Sequence, residues 1–156
     1  MTIALVCAAI KNVTSGLTAV TSETVPTTLT VTAYDPPPLP MPNLVFPAVY
    51  TLTGGAQDET NADEDVETRE YEVHCAIGPT TQTTLTIREY YIRALIPALK
   101  ARLMKYEGFG VAGVLDVRIT GDSGNTILPE HDGVYVGFII DLTITELISR
   151  TYAASE

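Results

Sequence analysis

The chain of 156 residues is poor in cysteine and has no long apolar run. Its two cysteines, Cys7 and Cys75, are far apart, and each falls on an apolar face, which favours free buried thiols over a disulfide framework. The apolar run from Ile3 to Ile10 is too short to cross a bilayer and lacks the positive flank of a signal peptide. We therefore expect a protein of a reducing compartment with no membrane segment.

Basic residues are scarce as well. Nine Lys and Arg stand against nineteen Asp and Glu, which gives a formal net charge of -10. Proteins that bind nucleic acids tightly neutralise phosphates with Lys and Arg, so this balance argues against DNA binding. Only 18% of the residues are charged whereas 46% are hydrophobic, which leaves little polar cover and predicts that some apolar surface meets other subunits.

Sequence motifs of catalysis are missing too. The chain has no Gly-rich phosphate loop with a following lysine, no dinucleotide fingerprint, no cysteine pairs at metal spacing and no nucleophile elbow. The GDSG of residues 121–124 matches a serine-protease segment only superficially, because it follows a strand as ordinary turn chemistry. His74 and His131 are interpreted as two solvated histidines. We expect no enzyme, no cofactor and no metal.

The clearest element that is present is a central helix from Thr86 to Tyr106. Thr86 and Glu89 have the spacing of a capping box, and Gly108 can close the C-terminus. Pro97 predicts a kink near Arg93 within one helix rather than a break into two. One apolar stripe recurs at helical spacing and predicts a buried face: Ile92, Leu95, Ile96, Leu99, Leu103 and Tyr106.

Before this helix, the pattern predicts a first helix and a long hairpin. Residues 2–21 carry apolar side chains at helical spacing, and alternation from Leu29 to Ala33 predicts a short strand. A stiff proline-rich arm spans residues 35–42. The strand from Leu44 to Leu52, with Pro47 placing it near a sheet edge, then pairs with the strand from Tyr71 to Ile77. That second strand is predicted to be half-buried, because its apolar residues alternate with Glu70, Glu72, His74 and Ala76.

The two hairpin strands are joined by a segment that is predicted to be a long exposed loop, residues 53–68. Too many like charges stand close together there for the segment to fold on itself. The calcium-loop interpretation is disfavoured because the glycine and the closing glutamate of an EF-hand are not at the right positions. The acids of this loop are Asp58, Glu59, Asp63, Glu64, Asp65 and Glu67.

Two further strands follow the central helix. Alternation from Leu115 to Ile119 predicts the first, and a polar turn region follows it. The last strand is the strongest, with one apolar face formed by Val134, Val136, Phe138, Ile140, Leu142 and Ile144. Its mixed second face supplies three candidate contacts with a neighbouring subunit: Tyr135, Ile139 and Asp141.

This order of elements predicts a single α+β domain over residues 1–156, with an antiparallel four- to five-stranded sheet and two helices packed on one face. The order resembles the tail terminator and neck proteins of long-tailed bacteriophages, which are small α+β proteins that assemble as a ring, usually of six, on the end of the tail tube. The resemblance is carried by the N-terminal helix, the hairpin NLVFPAVYTL to REYEVHCAI, the helix TIREYYIRALIPALKARL and the closing strand VYVGFIIDLTITEL.

The resemblance implies a structural protein of the virion, in the tail or neck, which is in the host cytoplasm during assembly. Such a homohexamer would end polymerisation of the tube at its head-proximal end, bind the tail tube protein and the head-side connector or stopper, and let DNA pass without specific binding. The acidic loop would then face the lumen or the tube, since an acidic wall repels the DNA backbone.

Two other functions are open at this point. One is a head completion or other head-tail joining protein, which differs in the end of the tail that it caps. The other, from a different class, is a regulatory α+β module that binds a small ligand between subunits, for which a pocket with convergent polar groups would be the sign.

Overall fold

A computed structural model describes residues 2–37, 44–60, 65–128 and 135–148, without the side chains of residues 2 and 60. These residues form an α+β structure with two helices and a mostly antiparallel sheet. The elements in chain order are α1 (Thr2–Thr14), β1 (Thr18–Val20), β2 (Thr28–Thr30), β3 (Thr32–Tyr34), β4 (Ala48–Thr60), β5 (Asp65–Pro79), α2 (Leu85–Leu103), a 3₁₀ turn (Glu107–Gly110), β6 (Val114–Asp122), β7 (Thr126–Ile127) and β8 (Tyr135–Ile148).

Within the described residues the main sheet has six strands, more than the predicted four to five, because the short strands β3 and β7 join it. Its order is β3-β4-β5-β8-β6, with β7 paired to β8. Among the strands that the structure describes, only β3 and β4 pair in parallel. β1 and β2 form a separate two-stranded ribbon. Among the helices that the structure describes, none is long and apolar enough to cross a membrane.

One face of the main sheet packs against both helices and forms the principal core. The predicted alternation in β5 and β8 is confirmed, since every second residue from Tyr71 to Ile77 and from Val136 to Ile144 is apolar and buried in this core. The predicted free thiols are confirmed as well: Cys7 and Cys75 are both buried and unbridged. Burial raises the pKa of each thiol, which keeps both in the neutral form.

The other face of the sheet carries a second, smaller core at one end. Its buried members are Leu44, Ala48, Tyr50, Ala76, Leu128 and Tyr135. At this end β8 approaches β5 so closely that a Cβ on Gly137 would overlap the carbonyl oxygen of Cys75. Glycine is therefore required at that position for the two strands to pair.

The first helix is shorter than predicted and ends at Thr14 rather than near residue 21. Gly16 has a φ of 75°, and its N–H donates to the Val31 carbonyl, so the chain leaves the helix there. Leu17 remains buried, but it leads into β1 and not into another helical turn. The β-branched residues that follow fit a strand better than a helix.

The central helix exists with the predicted buried stripe but a different start. Thr84, not Thr86, is the N-cap, and its side chain accepts a hydrogen bond from the Ile87 N–H at 3.3 Å. Glu89 instead accepts from the Asn125 side chain at 3.1 Å, so the predicted capping box is wrong. The helix is single and continuous through Pro97, as predicted.

The end of the central helix also differs. The helix stops at Leu103, and Tyr106 lies beyond it with 49% of its surface exposed. Gly108 does adopt a positive φ, 56°, but within the 3₁₀ turn and not at the helix cap. The buried members of the stripe are therefore Ile92, Leu95, Leu99 and Leu103.

The predicted loop of residues 53–68 is wrong, because β4 continues to Thr60 and β5 begins at Asp65. The two strands pair throughout, and Gly54 and Gly55 are absorbed in a register shift. β8 pairs with β5 along the same stretch, so a third strand supports the ribbon despite its charge. The residues between the two strands, 61–64, and residues 38–42 of the predicted proline-rich arm lie outside the described residues.

Candidate assembly surface

The six acids of the predicted loop do not form one patch. Asp58 and Glu59 lie on β4, whereas Asp65 and Glu67 lie on β5. Because successive side chains of a strand point to opposite faces, Glu59 lies on the face opposite Asp58. Asp63 and Glu64 lie outside the described residues.

Part of the charge of this ribbon is balanced by Arg69. Its Nε and Nη2 lie 3.1 and 3.0 Å from Glu67 Oε1, and its Nη1 donates to the Gly54 carbonyl at 3.0 Å. Arg69 therefore also fixes the register shift beside Gly54. Glu67 lies opposite Asp58 in the register, so a cation at this position reduces a repulsion between neighbouring strands.

A more compact group of acids lies on the face of the sheet away from the helices. We call it the acidic sheet face and define it by Glu70, Glu72 and Asp141. Glu72 and Asp141 are directly opposite each other in the register of β5 and β8. Burial raises the pKa of Asp141, and the negative charges of Glu72 and Glu70 raise it further. Like charges directly opposite each other on neighbouring strands cost stability, and the perturbed pKa of Asp141 makes this surface a functional candidate.

Two shallow grooves lie on either side of Glu70. One, of about 240 Å³, includes Gly54, Glu72 and Asp141 in its lining. The other, of about 430 Å³, includes Gln57 and Thr143. Both grooves are lined by strand residues and share the carboxylate of Glu70, and the smaller one adds those of Glu72 and Asp141, so the surface is negatively charged.

His74 is buried, which contradicts the prediction of a solvated histidine. Only 1% of its surface is exposed, and its ring stacks on Tyr50 with centroids 5.4 Å apart. Its Nε2 is 2.8 Å from Glu72 Oε1, so the histidine fixes one carboxylate of the acidic sheet face. The prediction was wrong because the second core covers this end of the outer face. His131 lies outside the described residues.

The three predicted ring contacts lie in different environments along β8. Tyr135 is 8% exposed and packs on Phe46, with ring centroids 5.6 Å apart. Ile139 is half-buried beside the second core. Asp141 belongs to the acidic sheet face. The two glutamates of that face were visible in the alternation of β5, but the sequence did not indicate that β8 would place Asp141 beside them.

The GDSG segment is a structural turn. The Ser123 hydroxyl donates to the Gly124 carbonyl and accepts from the Ile139 N–H, both at 2.9 Å. Asp122 accepts from Lys100 at 2.6 Å and from the Gly124 N–H at 2.9 Å. The hydrogen bond from Lys100 lowers the pKa of Asp122, with a further contribution from the Gly124 N–H. These bonds fasten the turn to β8 and α2.

Within the described part of the chain, no group of three or more His, Cys, Asp or Glu residues is placed to hold a metal ion. A scan of protein-family models finds no match to this chain, and a search of curated proteins finds none either.

Proposed function

We propose that this chain is a virion structural protein that forms a ring at the head-proximal end of a phage tail tube. In this proposal the ring ends polymerisation of the tube and joins it to the connector on the head side. The observation that supports it is the division of the sheet into two faces. One face packs against both helices, and the other carries the acidic sheet face.

The acidic sheet face, and not the acids of the hairpin ribbon, is the surface proposed to face the lumen. Glu70, Glu72 and Asp141 lie on the two central strands of a rigid sheet. A wall with fixed negative charges repels the phosphate backbone and releases no counterions to it, so DNA passes without being held. Ring contacts then belong to other surfaces of the subunit than this face.

The test of this function combines the purified protein with tail tubes assembled from the tube protein of the same phage. Negative-stain microscopy of the tube ends is expected to show a cap at one end, and capped tubes should no longer elongate. A protein that leaves both ends bare and elongation unchanged would contradict the proposal. A cap that binds head connectors but not tubes would instead favour a head completion or other joining protein.

The role of the charge is tested with E70Q/E72Q against D58N/E107Q. Each variant removes two carboxylates, and the control removes exposed ones that lie outside the acidic sheet face. We expect both to cap tubes, but only E70Q/E72Q to slow DNA release from assembled particles, by a factor of about two or more. Equal release rates for the two variants would show that this face does not line the path of the DNA.

A further inference from the structure

Both long edges of the main sheet are open within the described residues. β3 pairs only with Ala48–Tyr50, so the rest of β4 is paired on one side alone. β6, Val114–Asp122, pairs with β8 and with no other described strand. An open edge presents unpaired N–H and C=O groups, which form a template for another strand.

The two open edges run in opposite directions. Two strands, β5 and β8, lie between β4 and β6, and each successive pair is antiparallel. Three reversals therefore make β6 antiparallel to β4. When a second copy is rotated about an axis parallel to the strands, its strands point in the same directions as those of the first copy. Its β4 would therefore lie antiparallel to β6 of the first copy. This is the same pairing as in the rest of the sheet.

The two edges are also open at the same level of the sheet. One row of register partners runs from Ala56 through Arg69 and Ile144 to Val117. The next row of the same face runs from Thr53 through Tyr71 and Leu142 to Ile119. Both rows begin and end at an open edge, so a neighbouring copy at the same height meets an open partner.

The hydrogen-bonding groups at these positions point outward on β6. The Leu147 N–H donates to the Gly113 carbonyl, and the Ile139 carbonyl accepts from the Ser123 N–H. The backbone N–H and C=O groups of the odd-numbered residues of β8 therefore point toward β6. Their register partners use their own N–H and C=O groups toward β8. Because these groups alternate along a strand, Val117 and Ile119 direct theirs away from the sheet.

The same holds on β4. The Thr32 N–H donates to the Pro47 carbonyl. The backbone N–H and C=O groups of the odd-numbered residues at the start of β4 therefore point away from β5, toward the edge of the sheet. Thr53 is one of these residues. The register shift at Gly54 and Gly55 changes the alternation, so beyond it Ala56 also directs its backbone groups toward the edge. Bulges interrupt both edges, between Thr53 and Ala56 on β4 and on either side of residues 116–119 on β6. At equal height the straight stretches overlap where Ala56 and Gln57 are level with Val117 and Asp116.

We infer that neighbouring copies of this chain join through these edges, with β6 of one copy paired to β4 of the next. This inference rests on the ring of the proposed function and names its subunit contact. The contact is heterologous, so it generates a closed ring when the rotation between copies closes. The sheet then continues around the ring, with the helices on one side and the acidic sheet face on the other.

The test compares Ala56→Pro with Ala56→Thr. Proline removes the outward N–H of an exposed edge residue that follows a glycine, a position where a strand tolerates it. Threonine keeps that N–H and suits a strand. Native mass spectrometry is expected to find the wild type and A56T assembled and A56P monomeric, with the same circular dichroism spectrum for all three.

Amide hydrogen exchange of the wild type tests the contact without a variant. The Ala56 and Val117 amides are expected to exchange about tenfold or more slowly in the assembly than in diluted monomer. Assembly of A56P, or fast exchange of these amides within a wild-type assembly, would overturn edge pairing. Tube capping in that case would leave the proposed function intact. Slow exchange in a monomer would mean that the chain covers its own edge, which also overturns the inference.

Discussion

At the scale of residues, two aspartates lie in opposite electrostatic surroundings. Asp122 accepts hydrogen bonds from Lys100 and the Gly124 N–H, whereas Asp141 lies opposite Glu72 and near Glu70. The pKa of Asp122 is lowered and that of Asp141 is raised. His74 and Asp122 also act on Asp141, the first lowering its pKa and the second raising it.

These opposite shifts predict opposite effects of removing the charge. The raised pKa means that folded Asp141 holds its proton more tightly, so stability falls as the pH rises from about 4 through the folded pKa, and the cost persists at pH 7. D141N should therefore raise the melting temperature at pH 7 by roughly 1–2 °C and by less near pH 3.5.

D122N should lower the melting temperature at pH 7. The lowered pKa of Asp122 contributes stability at pH values above the ordinary aspartate pKa, and this stability is lost as the pH falls. Thermal melts at both pH values decide this, and a lower melting temperature for D141N at pH 7 would contradict it.

His74 illustrates what the sequence could not predict at this scale. The alternation of β5 correctly assigned it to the face opposite the main core. Whether that face is solvated depends on Tyr50 and on the second core, whose members come from four separate stretches of the chain. Local periodicity assigns a side chain to one face of a strand, but only tertiary packing decides what covers that face.

At the scale of elements, the start of α2 depends on which of two threonines caps it. Thr84 has extended backbone angles and accepts from the Ile87 N–H, whereas Thr86 lies inside the first turn. T84A should therefore cost about 0.5–1 kcal/mol, or roughly 1–4 °C in melting temperature. T86A should be nearly neutral, since alanine is a good residue within a helix. A larger loss for T86A than for T84A in urea or thermal unfolding would contradict this assignment.

At this scale, the repeat spacing of apolar residues predicted some elements and missed others. The buried stripe of α2 and the alternating faces of β5 and β8 followed from repeat spacing alone. The distal half of the hairpin did not, because its acids obscured a strand pattern that pairing with β8 and the Arg69 contacts stabilise. The loop was predicted to begin at residue 53, whereas in the structure Gly54 and Gly55 lie in a bulge within β4.

At the scale of the whole molecule, one sheet separates two chemically different sides. Helices and the main core occupy one side, and the acidic sheet face occupies part of the other. In the proposed ring, the two open edges would form the contact between copies and the acidic sheet face would form the charged surface. The α+β class and the long hairpin were predictable from the sequence, but the strand order that leaves β4 and β6 at the edges was not.

Native mass spectrometry of the purified wild-type chain over a range of protein concentrations tests the central claim, that this chain is a ring-forming subunit. The account predicts one closed oligomer of fixed subunit number, expected to be six from the resemblance to tail terminators, with no larger open series. A monomer at every concentration, unchanged by added tail tubes, would contradict it.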